Sequence, residues 1–411
     1  MTAPATIIRG WQARLYPTAE QTTRLNQWAG ALRFLWNRLL EREAAEYAAT
    51  GRFLWRKGLQ PIAVGMKRQP GLEWLADLPA HAVLDTAARL DGALRRMVNE
   101  RKAGRKCGFP KPKKKFVREA GLYCVGQATT VGAREATIPK LGKVRLRGGD
   151  IPEGRLVAAR IVRNGDRWML SAQFECARPD PLPATGVDLG IDVGLRHLAT
   201  IHDGTEVEHV AAPKPLAKVM KRLKRLQRAQ SRRKKGSARR RAAAKRVAAL
   251  HRRVANKRRD FNHQLSHRLT AKGDCIGIET LNIAAMARGL RLGKALADAG
   301  LGQLLGYVQH KADWRGRFLH AADRWRASTK PCSACGQFHN MPLGKRTLRC
   351  DCGNVMDRDE NAALNLRRYA QEGRKRAGNG PTRGETGEQV AGASPPPVPV
   401  AEPRMPMDVA A

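Results

Sequence analysis

Hydrophobic and polar positions change their period several times along this chain, and each change predicts an element. Residues Thr6 to Leu15 are strand-like. Pro17-Thr18 with Gln21 is a helix start of capping-box type, after which Leu25, Trp28, Leu32, Leu35 and Leu39 recur at helical spacing. A second apolar-periodic stretch runs from His81 to about Val98, so residues 17–105 read as a small helical bundle with a core stripe. Residues 104–118 (GRKCGFPKPKKKFVR) mix Gly and Pro with Lys and Arg, a pattern that predicts a basic linker, open to phosphate contact or to plain solvation. From 120 to 176 short β-rich runs alternate with turns and end in a hairpin, Arg155–Arg163 and Arg167–Cys176 flanking Asn164-Gly165-Asp166. A small antiparallel β-barrel is expected, with the Thr6–Leu15 strand completing it.

Beyond the PDPLP spacer the pattern becomes that of an α/β domain. Val187, Leu189, Ile191 and Val193 alternate with Asp and Gly, and further strands are predicted at His197–Ile201 and Val207–Val210. Residues 218–259 then carry 20 Lys/Arg and no acid, with Val219, Leu223 and Leu226, and later Val247, Leu250 and Val254, on apolar stripes. Gly236-Ser237 separates the stripes, so two basic helices in a hairpin are expected. Cys275–Ile278 reads as a buried strand before Glu279, residues 294–326 read as helical, and a short last helix runs from Glu360 to about Tyr369. From residue 371 the chain has no aromatic residue and much Gly, Pro and Ser, which predicts a disordered tail.

Charge narrows the function classes. The 411 residues hold 77 Lys/Arg against 36 Asp/Glu, a formal net charge of +41, which points to a polyanionic partner, nucleic acid before an anionic membrane. No uncharged apolar run is long enough to span a bilayer, and the start, MTAPATIIRG, lacks the apolar core of a signal peptide, so a cytoplasmic, nucleoid-associated protein without a membrane partner is expected. A stretch wholly without acids cannot lace itself with internal salt bridges, so Arg222, Lys224, Arg225, Arg232, Arg233, Lys234 and Lys235 of the basic hairpin are candidate phosphate contacts.

Two constellations carry chemistry. Four of the eight cysteines crowd into residues 332–352, as Cys332-x-x-Cys335 and Cys350-x-Cys352, each pair followed by Gly; four thiolates on so short an excursion suit a structural zinc, with His339 as reserve ligand. Three acids sit where an α/β core would gather them: Asp192 in a first strand, Glu279 at the end of a later strand, and Asp359 at the start of the last helix. Two-metal phosphodiester cleavage needs such hard oxygen ligands around ions about 4 Å apart. Singly each acid has an ordinary alternative: Asp192 in a turn, Glu279 facing solvent, Asp359 as a helix N-cap. Asp188 shares Asp192's Asp-x-Gly context and strand face, and Asp357, beside Asp359, raises the same choice between two acids.

The strings GIDVGLRHLAT (190–200), IGIETLN (276–282), CSACG (332–336) and DRDENAALNL (357–366), with YPTAEQ near the start, resemble the successive RuvC and zinc motifs of the TnpB family, relatives of the type V CRISPR effectors. The resemblance covers nearly everything before the tail. It implies an α/β multidomain protein: a RuvC/RNase H-like nuclease core with a zinc ribbon, an N-terminal helical bundle and a small antiparallel β-barrel. The implied division is 1–16 as the first strand of a wedge-like barrel, 17–118 as helical recognition region and basic linker, and 119–184 as barrel. There follow 185–329 as RuvC-like core with a basic hairpin at 214–270, 330–353 as zinc ribbon, 354–370 as the last RuvC segment, and 371–411 as tail. The register to Leu198-Ala199-Thr200 favours Asp192 over Asp188, and the corresponding register favours Asp359 over Asp357. In the family's second cysteine pair two intervening residues are usual, where this chain has only Asp351.

By that resemblance the chain is an RNA-guided DNA endonuclease of a transposable element. Its cofactors would be Mg2+ at Asp192, Glu279 and Asp359 and structural Zn2+ at the four cysteines. Its partners would be a guide RNA from the transposon end and double-stranded target DNA with a short adjacent motif. A guide-bound repressor without cleavage, and a guide-independent resolvase of RuvC fold, are the alternatives. The ten histidines include no pair separated by one residue, which argues against a tyrosine-dependent single-strand transposase.

Overall fold

The structure, a computed structural model, describes residues 6–114, 121–125, 128–165, 167–289, 292–342 and 344–378, which fall into two units divided after Arg178. Parts of the expected basic linker and of the 164–166 turn, and all of the expected tail beyond Gly378, lie outside the described residues.

In the first unit a strand, β1 (Thr6–Tyr16), leads into the 32-residue helix α1 (Ala19–Thr50). The capping box forms as the sequence predicts: the Thr18 hydroxyl accepts from the Gln21 backbone at 3.2 Å, and Gln21 Oε1 accepts from the Thr18 N–H at 3.0 Å. Gly51, in the left-handed region at φ 67°, ends the helix. Helices α2 (Trp55–Gly65) and α3 (Ala80–Lys102) pack on α1 through Leu32, Leu35, Leu39, Leu59, Leu90 and Leu94, all essentially inaccessible. The strands β2 (Leu122–Val125), β3 (Thr130–Val131), β4 (Glu135–Ile138), β5 (Gly142–Gly148), β6 (Arg155–Asn164) and β7 (Arg167–Ala177) join β1 in one antiparallel sheet of order β2-β6-β7-β1-β5-β4-β3. β1 thus lies inside the sheet, paired with β7 over ten positions and with β5 over four.

The second unit is built on a five-stranded sheet of β8 (Asp188–Asp192), β9 (Ala199–His202), β10 (Val207–Val210), β11 (Cys275–Glu279) and β12 (Phe318–Ala322), in the order β10-β9-β8-β11-β12. β8, β11 and β12 are parallel, while β9 and β10 run as an antiparallel meander from β8. Between β10 and β11 stand the basic helices α4 (Pro215–Ser231) and α5 (Ala238–Lys272); α6 (Ile283–Gly289), α7 (Gly293–Ala299) and α8 (Leu301–Trp314) lead to β12. A two-stranded ribbon, β13 (Thr347–Arg349) with β14 (Val355–Asp357), precedes α9 (Arg358–Arg376). Leu189 and Ile191 of β8 and Ile276 and Ile278 of β11 point into a core with Leu265, Leu269, Leu304 and Val308 of α5 and α8. The opposite sheet face receives α9, whose Ala362, Ala363, Leu366 and Ala370 are inaccessible.

Two elements depart from the sequence expectation. Residues 318–322, expected to be helical, are the edge strand β12, whose parallel pairing with β11 outweighs a weak local pattern. The last helix continues to Arg376, past the expected start of the tail, because Gln371 and Arg374 bind Asp188 on the sheet. Among the described residues no helix is long and apolar enough to cross a membrane.

Candidate active site

Side chains alternate along a strand, so Asp188, Gly190 and Asp192 share one face of β8, and Cys275, Gly277 and Glu279 share that face of β11. The parallel register sets Gly277 opposite Gly190 and Ile278 opposite Ile191, which leaves Glu279 and Asp192 side by side where both strands end. Helix α9 crosses directly above. A Cβ at Gly190 would lie 1.8 Å from the Ala363 carbonyl oxygen, and one at Gly277 would lie 2.0 Å from that of Leu366. Only glycine permits so close a helix, and the closeness carries Asp359, in the first turn of α9, over the two strand ends.

The electrostatics agree with that convergence. Burial, and then the charges of Glu279 and Asp359, push the Asp192 carboxyl up to about 8, partly offset by Arg358. Its solvent exposure is intermediate, so desolvation comes from the packed groups around it. Burial also raises Glu279, against the Ser328 hydroxyl, which donates to Glu279 Oε1 at 3.2 Å, and against the charge of Arg358. Asp359 is 3.8 Å from Arg346 Nη1.

The neighbouring acids are otherwise engaged. Asp188 is buried at the far end of β8, where it accepts from Arg374 at 2.9 and 3.1 Å and from Gln371 at 2.8 Å. Asp357 is the N-cap of α9: it accepts from the Asp359 N–H at 2.8 Å and pairs with Arg196 at 3.1 Å. The capping alternative for Asp359 is therefore corrected, since Asp357 does that work and leaves the Asp359 carboxylate free of it.

The four cysteines converge tightly, all Sγ atoms within 4.8 Å of one another, with Cys332–Cys352 at 3.8 Å and Cys335–Cys350 at 3.4 Å. Around a tetrahedral zinc with Zn–S near 2.3 Å, sulfurs stand about 3.8 Å apart, so the set fits that ion. The one-residue gap before Cys352 is accommodated by a turn in which the Gly353 N–H reaches the Cys350 carbonyl. Burial opposes ionisation of Cys332, but the Asn354 amide and the backbone N–H groups of Cys335 and Ala334 hold its thiol down at about 6. His339 is not among the converging groups. Among the described residues this quartet is the one group of three or more His, Cys, Asp or Glu drawn closely enough to share an ion; the carboxylates stand wider.

The basic hairpin forms as expected, α4 being anchored where Asp298 accepts from the N–H groups of Leu216 and Ala217 at 2.8 and 3.0 Å. Arg222, Lys224, Arg225, Arg232, Lys234 and Lys235 are exposed. Arg233 differs: it is half-buried and donates to the Arg239 carbonyl at 2.8 Å, so it braces the turn.

Residues 171–289 match the family described as "Probable transposase", 302–366 the "Cas12f1-like, TNB domain", and 5–52 a family described as "Helix-turn-helix domain". A Streptomyces pristinaespiralis protein named as an RNA-guided DNA endonuclease is 31% identical over 366 residues, 88% of this chain and 89% of that protein. The chain belongs to the TnpB family.

InsQ of Escherichia coli K12, also named as an RNA-guided DNA endonuclease, is 27% identical over 87% of this TnpB family chain and 91% of its own. Among solved structures, the Cas12f1 chain of a complex with sgRNA and target DNA superposes with a TM-score of 0.54 at 13% identity, covering 88% of this chain and 99% of that one, which shows a shared mixed α/β fold. In this TnpB family member the first matched segment spans Asp192 and Glu279, and the second spans the cysteines and Asp359. The segment matched as helix-turn-helix is a strand followed by one long helix.

Several residues around the site were not singled out by sequence reasoning. Asn361 and Asn365, fully buried on α9, donate to the Pro331 carbonyl at 2.8 Å each, and Asn361 Oδ1 accepts from the Ser333 N–H, tying α9 to the first cysteine knuckle. Their four-residue spacing within DRDENAALNL was a signal, because it puts two amides on one helix face. Ser328, Arg358 and the two glycines had no signal without the fold.

Proposed function

We propose that this TnpB family member is a transposon-associated RNA-guided DNA endonuclease whose chemistry resides at Asp192, Glu279 and Asp359. The observation that carries the reading is the meeting of these acids at the ends of two adjacent parallel strands beneath α9, the helix seated on Gly190 and Gly277. The printed names of the Streptomyces and Escherichia relatives support the activity class. The order β10-β9-β8-β11-β12, with an antiparallel meander beside parallel strands, supports a RuvC/RNase H-like core.

The donor set fits divalent cations: three hard carboxylates, of which Asp192 is raised by burial and then by the charges of Glu279 and Asp359, so that cation charge there would be favourable. Asp192, Glu279 and Asp359 would hold Mg2+ ions, which supply Lewis acidity at the scissile phosphate and its leaving oxygen. Water adds to phosphorus, the bridging P–O bond breaks, and the released alkoxide takes up a proton. Glu279, oriented by the Ser328 hydroxyl, and Asp192 form a rigid base because both sit at strand ends. Asp359 closes the site from the helix.

Cys332, Cys335, Cys350 and Cys352 would hold Zn2+ in a structural role, as four thiolates suit. Through Asn361 and Asn365 the quartet fixes the N-terminal turn of α9 and thus Asp359. The seven-stranded sheet, read as the wedge-like barrel of residues 1–16 and 119–184, and the helical region 17–118 serve guide and target recognition, and the exposed cations of the 214–270 hairpin contact phosphates. The experiment is guide-dependent cleavage of matched duplex DNA by wild type beside Asp192→Ala and Asp359→Ala; retained RNA binding with lost cutting is the result expected.

A further inference from the structure

Where α1, α3, β2 and β6 meet in the N-terminal unit, cations outnumber acids in a buried place. Arg160 of β6 gives both terminal nitrogens to Asp85 of α3, at 2.9 and 2.8 Å, and stacks over Tyr123 of β2. One helical turn beyond Asp85, the Nη1 atom of Arg89 is buried without a hydrogen-bond partner. The Nζ of Lys113 stands 3.5 Å from the centre of the Trp36 ring and is also buried without a hydrogen-bond partner. The Nε1–H of the same indole is a third buried donor lacking an acceptor. Three cations thus share one carboxylate.

This arrangement is held in place. Asn37, next to Trp36 on α1, accepts from the Lys113 N–H at 2.8 Å and donates to the Lys113 carbonyl at 3.2 Å, which pins the backbone that carries the amine. Burial and then the charge of Arg89 pull the amine down to about 7, with Asp85 opposing and Arg160 adding. A guanidinium cannot shed its proton, so the buried Nη1 of Arg89, with Asp85 already taken by both terminal nitrogens of Arg160, is better satisfied when a further anion arrives. An anion that serves these donors accepts from more than one of them, as a phosphate with its several oxygens can.

We propose that Arg89, Lys113 and Arg160, beside the Trp36 indole, form a cationic cluster that takes a backbone phosphate of the bound nucleic acid. The site rests on the nucleic-acid partner of the proposed function, and not on cleavage. Its free form is frustrated and its bound form is satisfied, so the two ordinary consequences of losing a contact separate. Removing the charge of Lys113 relieves the free protein and weakens the complex.

The test uses the full chain as wild type, Lys113→Met and Arg89→Met. Melting is measured without ligand and with inorganic phosphate, and binding of a labelled single-stranded RNA and of a labelled duplex DNA is measured over a range of KCl. The expected result is an unchanged or higher melting temperature for the free variants, with binding of at least one probe weakened about tenfold. For RNA the slope of log K against log salt becomes shallower by about 0.7, one phosphate contact. A lower melting temperature with unchanged binding and slope would overturn the proposal and make Lys113–Trp36 a purely structural contact. Loss of stabilisation by inorganic phosphate with both nucleic acids bound as before would also overturn it, since the cluster would then serve free phosphate. Should Lys113→Met fail to fold, Arg89→Met decides the question, because its guanidinium makes no ion pair among the described residues.

Discussion

Gly190→Ala is the change that separates the position of Asp359 from its chemistry. The added Cβ would lie 1.8 Å from the Ala363 carbonyl oxygen and 2.6 Å from the Arg367 nitrogen, both backbone atoms that no side-chain rotation can move. Ordinary contact begins at 3.4 Å, so α9 must withdraw by roughly 1.6 Å at the turn just after Asp359. Overpacking of this kind costs about 1–3 kcal/mol, less than the 5–15 kcal/mol that holds an ordinary domain together, so the variant folds with a lowered melting temperature. A displacement of about 1 Å at a reacting group costs about 100-fold in rate, and that is the loss expected in single-turnover cleavage of matched duplex by guide-loaded protein. Gly306→Ala on α8 is the control, because its Cβ would meet nothing within 4 Å and cleavage should be unchanged. If Gly190→Ala cuts at the wild-type rate, the helix does not set the site and the reasoning fails.

The two acids of β8 should respond in opposite ways. Asp188→Asn gives up the ion pair with Arg374 and lowers stability by about 1.5–3 kcal/mol in chemical denaturation, at the low end because Arg374 is 42% exposed, while cleavage per folded molecule stays within about threefold. Asp192→Asn leaves the metal-free protein as stable or more so, since it relieves repulsion from Glu279 and Asp359, and it abolishes cutting; the reverse pattern would exchange their roles. Metal analysis of the purified chain should find about one zinc, and Cys335→Ser should lose it together with a drop in melting temperature. Lys113, faced by Trp36 of α1, Asp85 and Arg89 of α3 and Arg160 of β6, is lowered from 10.5 to about 7. Between those values the unfolded chain holds a proton that the folded chain lacks, so this group makes stability rise with pH across that window. Urea midpoints at pH 7, 8 and 9 should show the rise, and Lys113→Met should flatten it.

What was legible depended on whether an element's own pattern or its neighbours decide it. The capping box at Thr18, the hairpin of β6 and β7, and the apolar strands that end in Asp192 and Glu279 carry their signals locally, and they stand close to where they were expected. β12 does not: its five residues, FLHAA, follow a helical stretch, and only pairing with β11 makes them a strand. The span of α9 beyond Tyr369 is likewise a tertiary matter, settled by Asp188 holding Arg374. Family register favoured Asp192 over Asp188 and Asp359 over Asp357; in the structure Asp188 is ion-paired with Arg374 and Asp357 caps α9. The glycines that let α9 touch the sheet were visible as residues but not as contacts.

In the function proposed above, three acids on two strands and a helix cut DNA selected by a bound RNA. The most direct measurement expresses the chain together with its native flanking DNA, sequences the RNA that co-purifies, and assays magnesium-dependent cleavage of a target library by wild type and Asp192→Ala. A discrete RNA on both proteins, cutting only at guide-matched targets, and no cutting by the variant are the expected results. Cutting that persists in Asp192→Ala, or that needs no RNA, would contradict it.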